Sequence, residues 1–529
     1  MTRRAALPFA LTALAIGLVA ALPAEAATAP PVFRRNVLAD QKAYGEPSLA
    51  ITKDGKHIAV CVPGGTGTTS VWYSGDDGHT FDTSHTSSDN GGGDCELEFM
   101  PDGLLLNADL EITDSAIRYS KDFGKTWQGT ATAGVEQDRQ WFAHSKDGKT
   151  AYLVYHDFAA EAEFYAESPD GGLTWPTNLA AQPVTNIDQI ALPGNGAGHA
   201  GDPASLADQG GNTFSGPMLV SPDGRDMYVL YSISDAKSNV TDGIPPYGPT
   251  RGIVVAHKGP EDGGFSNKYA IASDSTTTNG AIFPWGTIDK AGNVYVLFNS
   301  DKGSAGHFHT YYTVSTDKGS TWHTPVKVDD TPLAQGAQIY ATGAAGDAGV
   351  VDLAWYGSST ASSPADDSAT WSIKFAQVRN ALSANPTITR ADVAPGDPIH
   401  KGNICLNGLL CIVGGDRSLA DFIELAIGPD GMAQIAYADN AGTFTGTKGR
   451  VTWAKQVTGA SAYGTKVVTV PPVTVPGTPT TGTGGTKTGS GSGLAATGLG
   501  TVLPGAALLL LLGAAVVRRN RLTGRGAGL

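Results

Sequence analysis

Short apolar runs recur along residues 44–456, each broken by a tight turn and followed by a second apolar run. Leu49-Ala50-Ile51 meets Asp54-Gly55 and then Ile58-Ala59-Val60; Leu97 meets Asp102-Gly103 and then Leu104-Leu105-Leu106; Trp141-Phe142 meets Asp147-Gly148 and then Tyr152-Leu153-Val154. The pattern continues with Met218-Leu219-Val220 before Asp223-Gly224, Phe283 before Ala291-Gly292, Ile339-Tyr340 before Asp347-Ala348-Gly349, and Ile423-Glu424-Leu425 before Asp430-Gly431. Runs of this length, rich in Val, Ile, Tyr and Leu and joined by Asp-Gly turns, predict β-hairpins. The chain carries seven of them.

A stricter repeat lies between these hairpins. The phrase Ser-x-Asp-x-Gly-x-Thr-(Trp/Phe) begins at Ser74, Ser120, Ser168 and Ser315, and places Asp76 and Gly78, Asp122 and Gly124, Asp170 and Gly172, and Asp317 and Gly319 at equal offsets. The Asp carboxylate accepts backbone N–H groups across a turn, and the Gly supplies a positive φ. The Thr suits a returning strand, and the aromatic ring buries itself between neighbouring sheets. Boxes at 74, 120 and 168 are one module apart; the longer gap to 315 holds an eroded copy, Pro260 to Phe265, and Gly/Pro/Asn-rich loops at 176–214 and 233–250. Each module then reads as four strands, so the predicted fold is all-β, a β-propeller of four-stranded blades. The hairpin count favours seven blades, with six as the alternative.

The boxed phrase resembles the Asp-box, or BNR repeat, of sialidases and related propellers. In that family three arginines hold a substrate carboxylate, a Tyr assisted by Glu is the nucleophile and an Asp is the acid/base, the first arginine entering just ahead of the first inner strand. Here Tyr44-Gly45-Glu46-Pro47 occupies that place, with Gly45 where the resemblance implies arginine. Arg34 is an upstream substitute, and Arg139 and Arg417 stand naturally at the channel mouth; Asp138 and Glu96 are the acid candidates. Tyr340, Tyr437 and Tyr231 are the candidate phenols.

In a propeller the starts of the inner strands ring one mouth, while the boxed turns lie at the periphery. The mouth residues expected on this basis are Glu46, Asp94, Glu96, Asp138, Arg139, Asp416 and Arg417. Three convergent arginines are not evident, and ion pairs that tie blades together account for the Asp-Arg pairs. The reading favoured is recognition of an extracellular glycan or another surface ligand, and the alternative is an exo-glycosidase of sialidase type acting on terminal sialic acids. No phosphate-binding loop, zincin motif or Gly-x-Ser-x-Gly phrase occurs.

The two ends speak of location. Arg3 and Arg4, an apolar run from Leu7 to Leu22, and Ala24-Glu25-Ala26 make residues 1–26 a signal peptide. The propeller is expected over 27–469 and a Pro/Thr/Gly/Ser-rich stalk over 470–493. Residues 494–529 resemble a sortase sorting signal: Leu494-Ala495-Ala496-Thr497-Gly498, with cleavage between Thr497 and Gly498, an apolar span 499–517 and a tail of arginines. That resemblance implies a Gram-positive bacterium, sortase and cell-wall peptidoglycan as partners, or retention on the outer face of the plasma membrane through the C-terminal helix.

Composition narrows partners further. The formal charge is −14 over the whole chain and becomes more acidic once leader and tail arginines are set aside, which excludes nucleic acid as a ligand. No cofactor is implied; the acidic excess leaves room for bound calcium, no His sits at ligand spacing near the cysteines, and His307-Phe308-His309, which puts two imidazoles on one strand face, reads as a solvated loop edge in preference to a metal site. Cys61, Cys95, Cys405 and Cys411 allow three disulfide connectivities in an exported chain. Cys61–Cys95 and Cys405–Cys411 are favoured.

Overall fold

The computed structural model describes residues 29–39, 45–63, 68–87, 91–111, 115–133, 137–157, 162–175, 182–185, 189, 211–235, 250–272, 277–280, 283–304, 306–406, 416–440, 450–464 and 467–469. The leader, the stalk, Thr497, Gly498 and the apolar span 499–517 lie outside the described residues. Among the described residues no helix is long and apolar enough to cross a membrane.

Seven antiparallel sheets form, one for each predicted hairpin. Their innermost strands are Ser48–Ile51, Gly91–Phe99, Gln137–His144, Gly211–Val220, Trp285–Ile288, Ala337–Ala345 and Glu424–Ile427, which number blades 1 to 7. Inner strands of successive blades touch, and those of blades 7 and 1 touch as well, so the ring is closed. The seven-bladed count is therefore the correct one. Second strands such as Ile58–Val62 and Val294–Ser300 are buried along their whole length, because sheets cover both of their faces. That is why their sequences run apolar without alternating.

Closure uses a strand that the hairpin pattern did not reveal. Val32–Ala39 pairs antiparallel with Arg450–Ala460 and becomes the outermost strand of blade 7, whose other strands come from the far end of the domain. A short strand, Val467–Thr469, adds to the same blade. The disulfide Cys61–Cys95 crosses from the second strand of blade 1 to the innermost strand of blade 2. A loop of that length is worth about 3–4 kcal/mol in the chain-entropy account. Cys405 is disulfide-bonded too, while Cys411 lies outside the described residues.

The four repeated phrases build one turn, each between the third and outer strands of its blade. In blade 1 the Gly78 N–H donates to Ser74 Oγ at 2.9 Å, the Thr80 N–H donates to Asp76 Oδ1 at 2.9 Å, and the Thr80 hydroxyl donates to Asp76 Oδ2 at 2.7 Å. Blades 2, 3 and 5 repeat these bonds around Asp122, Asp170 and Asp317. Two successive residues take positive φ, 60° at Asp77 and 71° at Gly78. A Cβ on Gly78 would lie 2.2 Å from the Trp453 ring of blade 7, so glycine is required by contact as well as by φ. The boxed aromatic also reaches the preceding blade: Phe81 meets Trp453 edge-on at 5.4 Å, and the Trp127 N–H donates to Ser84 Oγ at 3.1 Å.

In blades 1, 2 and 5 the residue after the boxed Asp is a clasp. Asp77 accepts from Lys455 of blade 7 at 2.7 Å, Phe123 stacks on His57 of blade 1 at 3.6 Å, and Lys318 donates to Asp226 of blade 4 at 2.8 Å. In the eroded turn of blade 4, Asp262 accepts the Gly259 N–H at 2.8 Å, and Phe265 packs edge-on against Tyr165 of blade 3 at 5.5 Å.

Hydrogen bonds from Thr321 hold the Asp317 carboxyl down at about 2, against an ordinary 3.8, and Asp76, Asp122 and Asp170 are lowered as well. A carboxyl lowered by folding contributes stability above its ordinary pKa and loses that contribution as pH falls through the folded value. The thermal unfolding midpoint should thus fall as pH drops from about 4 to about 2, and Asp317→Asn should reduce the slope. A flat midpoint across that window would contradict the bonding described.

Candidate functional site

The starts of the inner strands share one face of the ring, opposite the Asp-Gly and boxed turns. The backbone there is strained. Glu46, Arg139, Tyr340 and Ala420 carry φ of 64°, 39°, 57° and 54°, and bulges interrupt the inner strands of blades 2, 3, 4 and 6. Such conformations cost about 1–3 kcal/mol each and re-aim side chains.

Glu46, Arg417, Asp421 and Tyr340 form an upper cluster at this mouth. The Arg417 guanidinium donates through both terminal nitrogens to the two oxygens of Asp421, and stands 3.6 Å from Glu46 Oε1. The Tyr340 hydroxyl lies 3.5 Å from Asp421 Oδ1. Burial, then the charges of Asp94 and Asp421, push the Glu46 carboxyl well above the usual range, with Arg417 pulling the other way. Burial likewise raises the Tyr340 phenol, and the Asp421 charge adds to it. Arg417 is lowered by burial and raised further by Asp421, so its charge is held. The cluster sets three carboxyl groups, counting Asp94, against one guanidinium.

A second layer lies beneath. Arg139 is fully buried, donates to Glu96 Oε2 at 2.8 Å, and is pressed between the Trp141 and Phe422 rings at 3.6 and 4.1 Å from their centroids. Glu424 accepts the Leu49 N–H at 2.6 Å. Burial, then the charge of Glu96, raises Glu424 well above the usual range. Burial raises Glu96 to about 7, with Arg139 lowering it. The single Arg139 guanidinium lowers both carboxyl groups, against the burial that raises them, and is hydrogen-bonded to Glu96. Around this layer Trp141 meets Trp285, Phe283 meets Phe422, and Phe214 meets Phe283, all at centroid distances of 5.2 to 6.1 Å. The axis of the ring is filled by these rings.

The expected residues part company here. Glu46 and Arg417 share the upper cluster, to which Asp94 is coupled electrostatically, while Glu96 and Arg139 belong to the buried layer. Arg139, expected at an open mouth, is corrected to an interior residue because the aromatic rings close over it. Arg34 is also corrected: it lies in the outermost strand of blade 7 and donates to the carbonyls of Asp77 and Gly78 at 2.8 Å, at the rim of the ring. Asp416 turns from Arg417 to receive the Ser418 N–H at 2.7 Å. The backbone of Asp138 pairs with His156; its side chain lies outside the described residues. Tyr437 is buried in blade 7 beside Arg35, and Tyr231 donates to Asn267.

Gly45 has a physical explanation. A Cβ there would lie 2.2 Å from the Leu419 carbonyl oxygen, so the backbone of blade 7 closes the position to every side chain, arginine included. Asp421, Glu424, Phe422 and Trp141 were missed as site residues. They sit at or inside the strand starts, and the alternation of Phe422 and Glu424 with Ile423 and Leu425 was the available signal. Among the described residues no group of three His, Cys, Asp or Glu is arranged to hold a metal ion.

Together the fold and the mouth define a seven-bladed β-propeller with an acidic, aromatic-floored axial face. No protein-family model matches the chain and no curated protein does. Among solved structures it resembles an ulvan lyase at 12% identity and a TM-score of 0.44, over 76% of this chain and 93% of that one. It also resembles the α-L-arabinofuranosidase of Fusarium graminearum (12%, TM-score 0.38, 62% of this chain and 92% of that one). A hydrazine synthase from Kuenenia stuttgartiensis is similar too (11%, TM-score 0.43, 76% and 95%). At these identities and scores the likenesses say nothing of chemistry, which rests on the side chains.

Replacing Arg139 by Met keeps much of the volume but strands Glu96 without its cation, and should cost about 3–5 kcal/mol in urea unfolding. Arg34→Met, which loses bonds to carbonyls at the rim and a cation–π contact with Trp453, should cost about 1–2 kcal/mol; equal losses would refute the distinction. A second outcome concerns pH. Glu96 is raised by folding to about 7, so its contribution is present at low pH and is lost as pH rises through that value. Glu96→Gln, which copies the protonated carboxyl, should flatten the loss between about pH 4.5 and 7.

Proposed function

We propose that this chain is an exported propeller, held at the cell surface by its C-terminal segment, that recognises a neutral extracellular glycan at the acidic mouth. The charge balance of the upper cluster carries this reading. Its one guanidinium is bound to Asp421 and close to Glu46, so it is not free to clamp an anionic sugar, and the excess carboxyl groups repel one. The Glu46 carboxyl, raised by burial, and the Tyr340 hydroxyl offer donors, and the oxygens of Asp421 and Asp94 offer acceptors, a mixture suited to sugar hydroxyls.

After Ala460 the backbone lies on the turn face, where Ser461 Oγ donates to the Asp430 carbonyl at 3.0 Å and the Gly464 N–H donates to Asp347 at 2.6 Å. From there Val467–Thr469 runs back along Thr458–Ala460 in blade 7, so a C-terminal tether starts at the rim of the ring and not over the mouth.

Glycoside hydrolysis is the second reading, favoured by two carboxyl groups in different surroundings at one site, Glu46 raised by burial and Asp421 bonded to Arg417, the general requirement for acid and base roles. A glycan array on the purified chain tests both. Neutral oligosaccharides should bind, and Arg417→Ala should weaken binding at least about tenfold by releasing Glu46 and Asp421 from their geometry. Aryl sialosides should not be turned over. Binding confined to sialylated glycans would overturn the proposal, and turnover of a neutral aryl glycoside would replace it by the second reading.

A further inference from the structure

A cavity of about 630 Å³ opens on the turn face, opposite the mouth, between blades 2 and 3. Its walls are the Asp-Gly turns of both blades, around Gly103 and Gly148, and their boxed turns, including Lys121, Phe123, Gly171 and Leu173. The space has an identifiable origin. In the boxed turns of blades 1, 2 and 5 the residue after the Asp reaches across to the preceding blade, as Asp77, Phe123 and Lys318. In blade 3 that residue is Gly171, with φ of 74°, and a Cβ there would stand 2.9 Å from the Gly148 carbonyl oxygen. Among the described residues, the boxed turn of blade 3 therefore sends no such side chain across to blade 2.

The same box departs from its sisters once more. Two residues further on, the others carry His79, Lys125 and Ser320, all polar, whereas blade 3 carries Leu173. Leu173 is 40% exposed, one of four exposed large hydrophobic residues among those described, and it lines the cavity. Two substitutions in one turn thus remove a filler and add an apolar contact at one spot. The rest of the lining mixes signs: Lys121 and Lys149 oppose Asp102, Asp147 and Asp170. These carboxylates bond within their turns, to the Leu104 N–H, to Ser145 and to Thr174, and each has more acceptor sites than those bonds use.

We infer that the blade 2–blade 3 groove is a second ligand site, separate from the mouth, that takes a neutral oligosaccharide of two or three sugars. Its volume falls in the range of small-molecule sites. Near-balanced charge selects against a strongly ionic ligand, ammonium groups and carboxylates serve hydroxyls, and Leu173, Leu104 and the Phe123 edge receive the C–H face of a ring. With the mouth on the other face, one chain would hold two glycan segments.

The test uses the whole chain with maltotriose, cellotriose, xylotriose and mannotriose as probes, read by calorimetry and by hydrogen exchange of the amides at 102–104, 147–149 and 169–174. In the Arg417→Ala background at least one probe should still bind and protect these amides. Leu173→Asp and Lys149→Glu, both at exposed positions, should each weaken that binding about tenfold or more while leaving binding at the mouth of the otherwise unaltered chain unchanged. Failure of all four probes to protect the groove overturns the inference, as does protection untouched by both variants. Protection by capped apolar hexapeptides in place of sugars would reassign the groove to a polypeptide and also overturn it.

Discussion

The antiparallel pairing of Val32–Ala39 with Arg450–Ala460 is the constraint on which the rest of the molecule depends. A ring of sheets has two chain ends to reconcile, and here they are hydrogen-bonded side by side in one blade. The upper cluster sits at the axial end of the same closure, where the inner strands of blades 6, 7 and 1 meet. Glu46 comes from the segment leading into blade 1, Arg417 and Asp421 from the segment leading into blade 7, and Tyr340 from blade 6. Only a closed ring brings them within reach of one another.

Charge and burial divide the axial face into two layers with different tasks. Below, Arg139 and Glu96 form an ion pair enclosed by Trp141 and Phe422, where low dielectric makes the pair hard to break and useful for holding blades 2, 3 and 7 in one geometry. Above, Arg417 keeps partial exposure while its charge is absorbed by Asp421 and Glu46. A carboxylate ligand would have to displace these partners. Hydroxyl groups would not, since they join the existing donors and acceptors.

On the opposite face the boxed turns act between blades more than within them. Each carboxylate fixes its own turn, but the left-handed residue beside it and the aromatic after it reach backward to the preceding sheet. The repeat is therefore read twice, as a turn and as a joint. Blade 3 keeps the turn and drops the joint, and a cavity results.

Much of the architecture was legible in the chain because its determinants are local. Asp54-Gly55 or Asp147-Gly148 makes a hairpin from neighbouring residues alone, and the side chains of Ser74, Asp76 and Thr80 bond within their own turn. Cys61 and Cys95 could be placed on successive modules for the same reason. The strand Val32–Ala39 had no hairpin partner in sequence and was invisible as part of blade 7. The mouth was legible only in outline: Glu46 and Arg417 were found by position, but Asp421 and Glu424 were not, and Arg34 and Arg139 were misplaced as open residues. Nothing in the local sequence tells which rings from four different blades meet on the axis and bury Arg139, or that Leu419 closes the space beside Gly45. By itself the sequence determined the turns, the strands and the number of modules, since these depend on contacts a few residues apart. Only the tertiary structure decided which charges are buried, paired or open, because that is settled by side chains hundreds of residues distant converging on one axis.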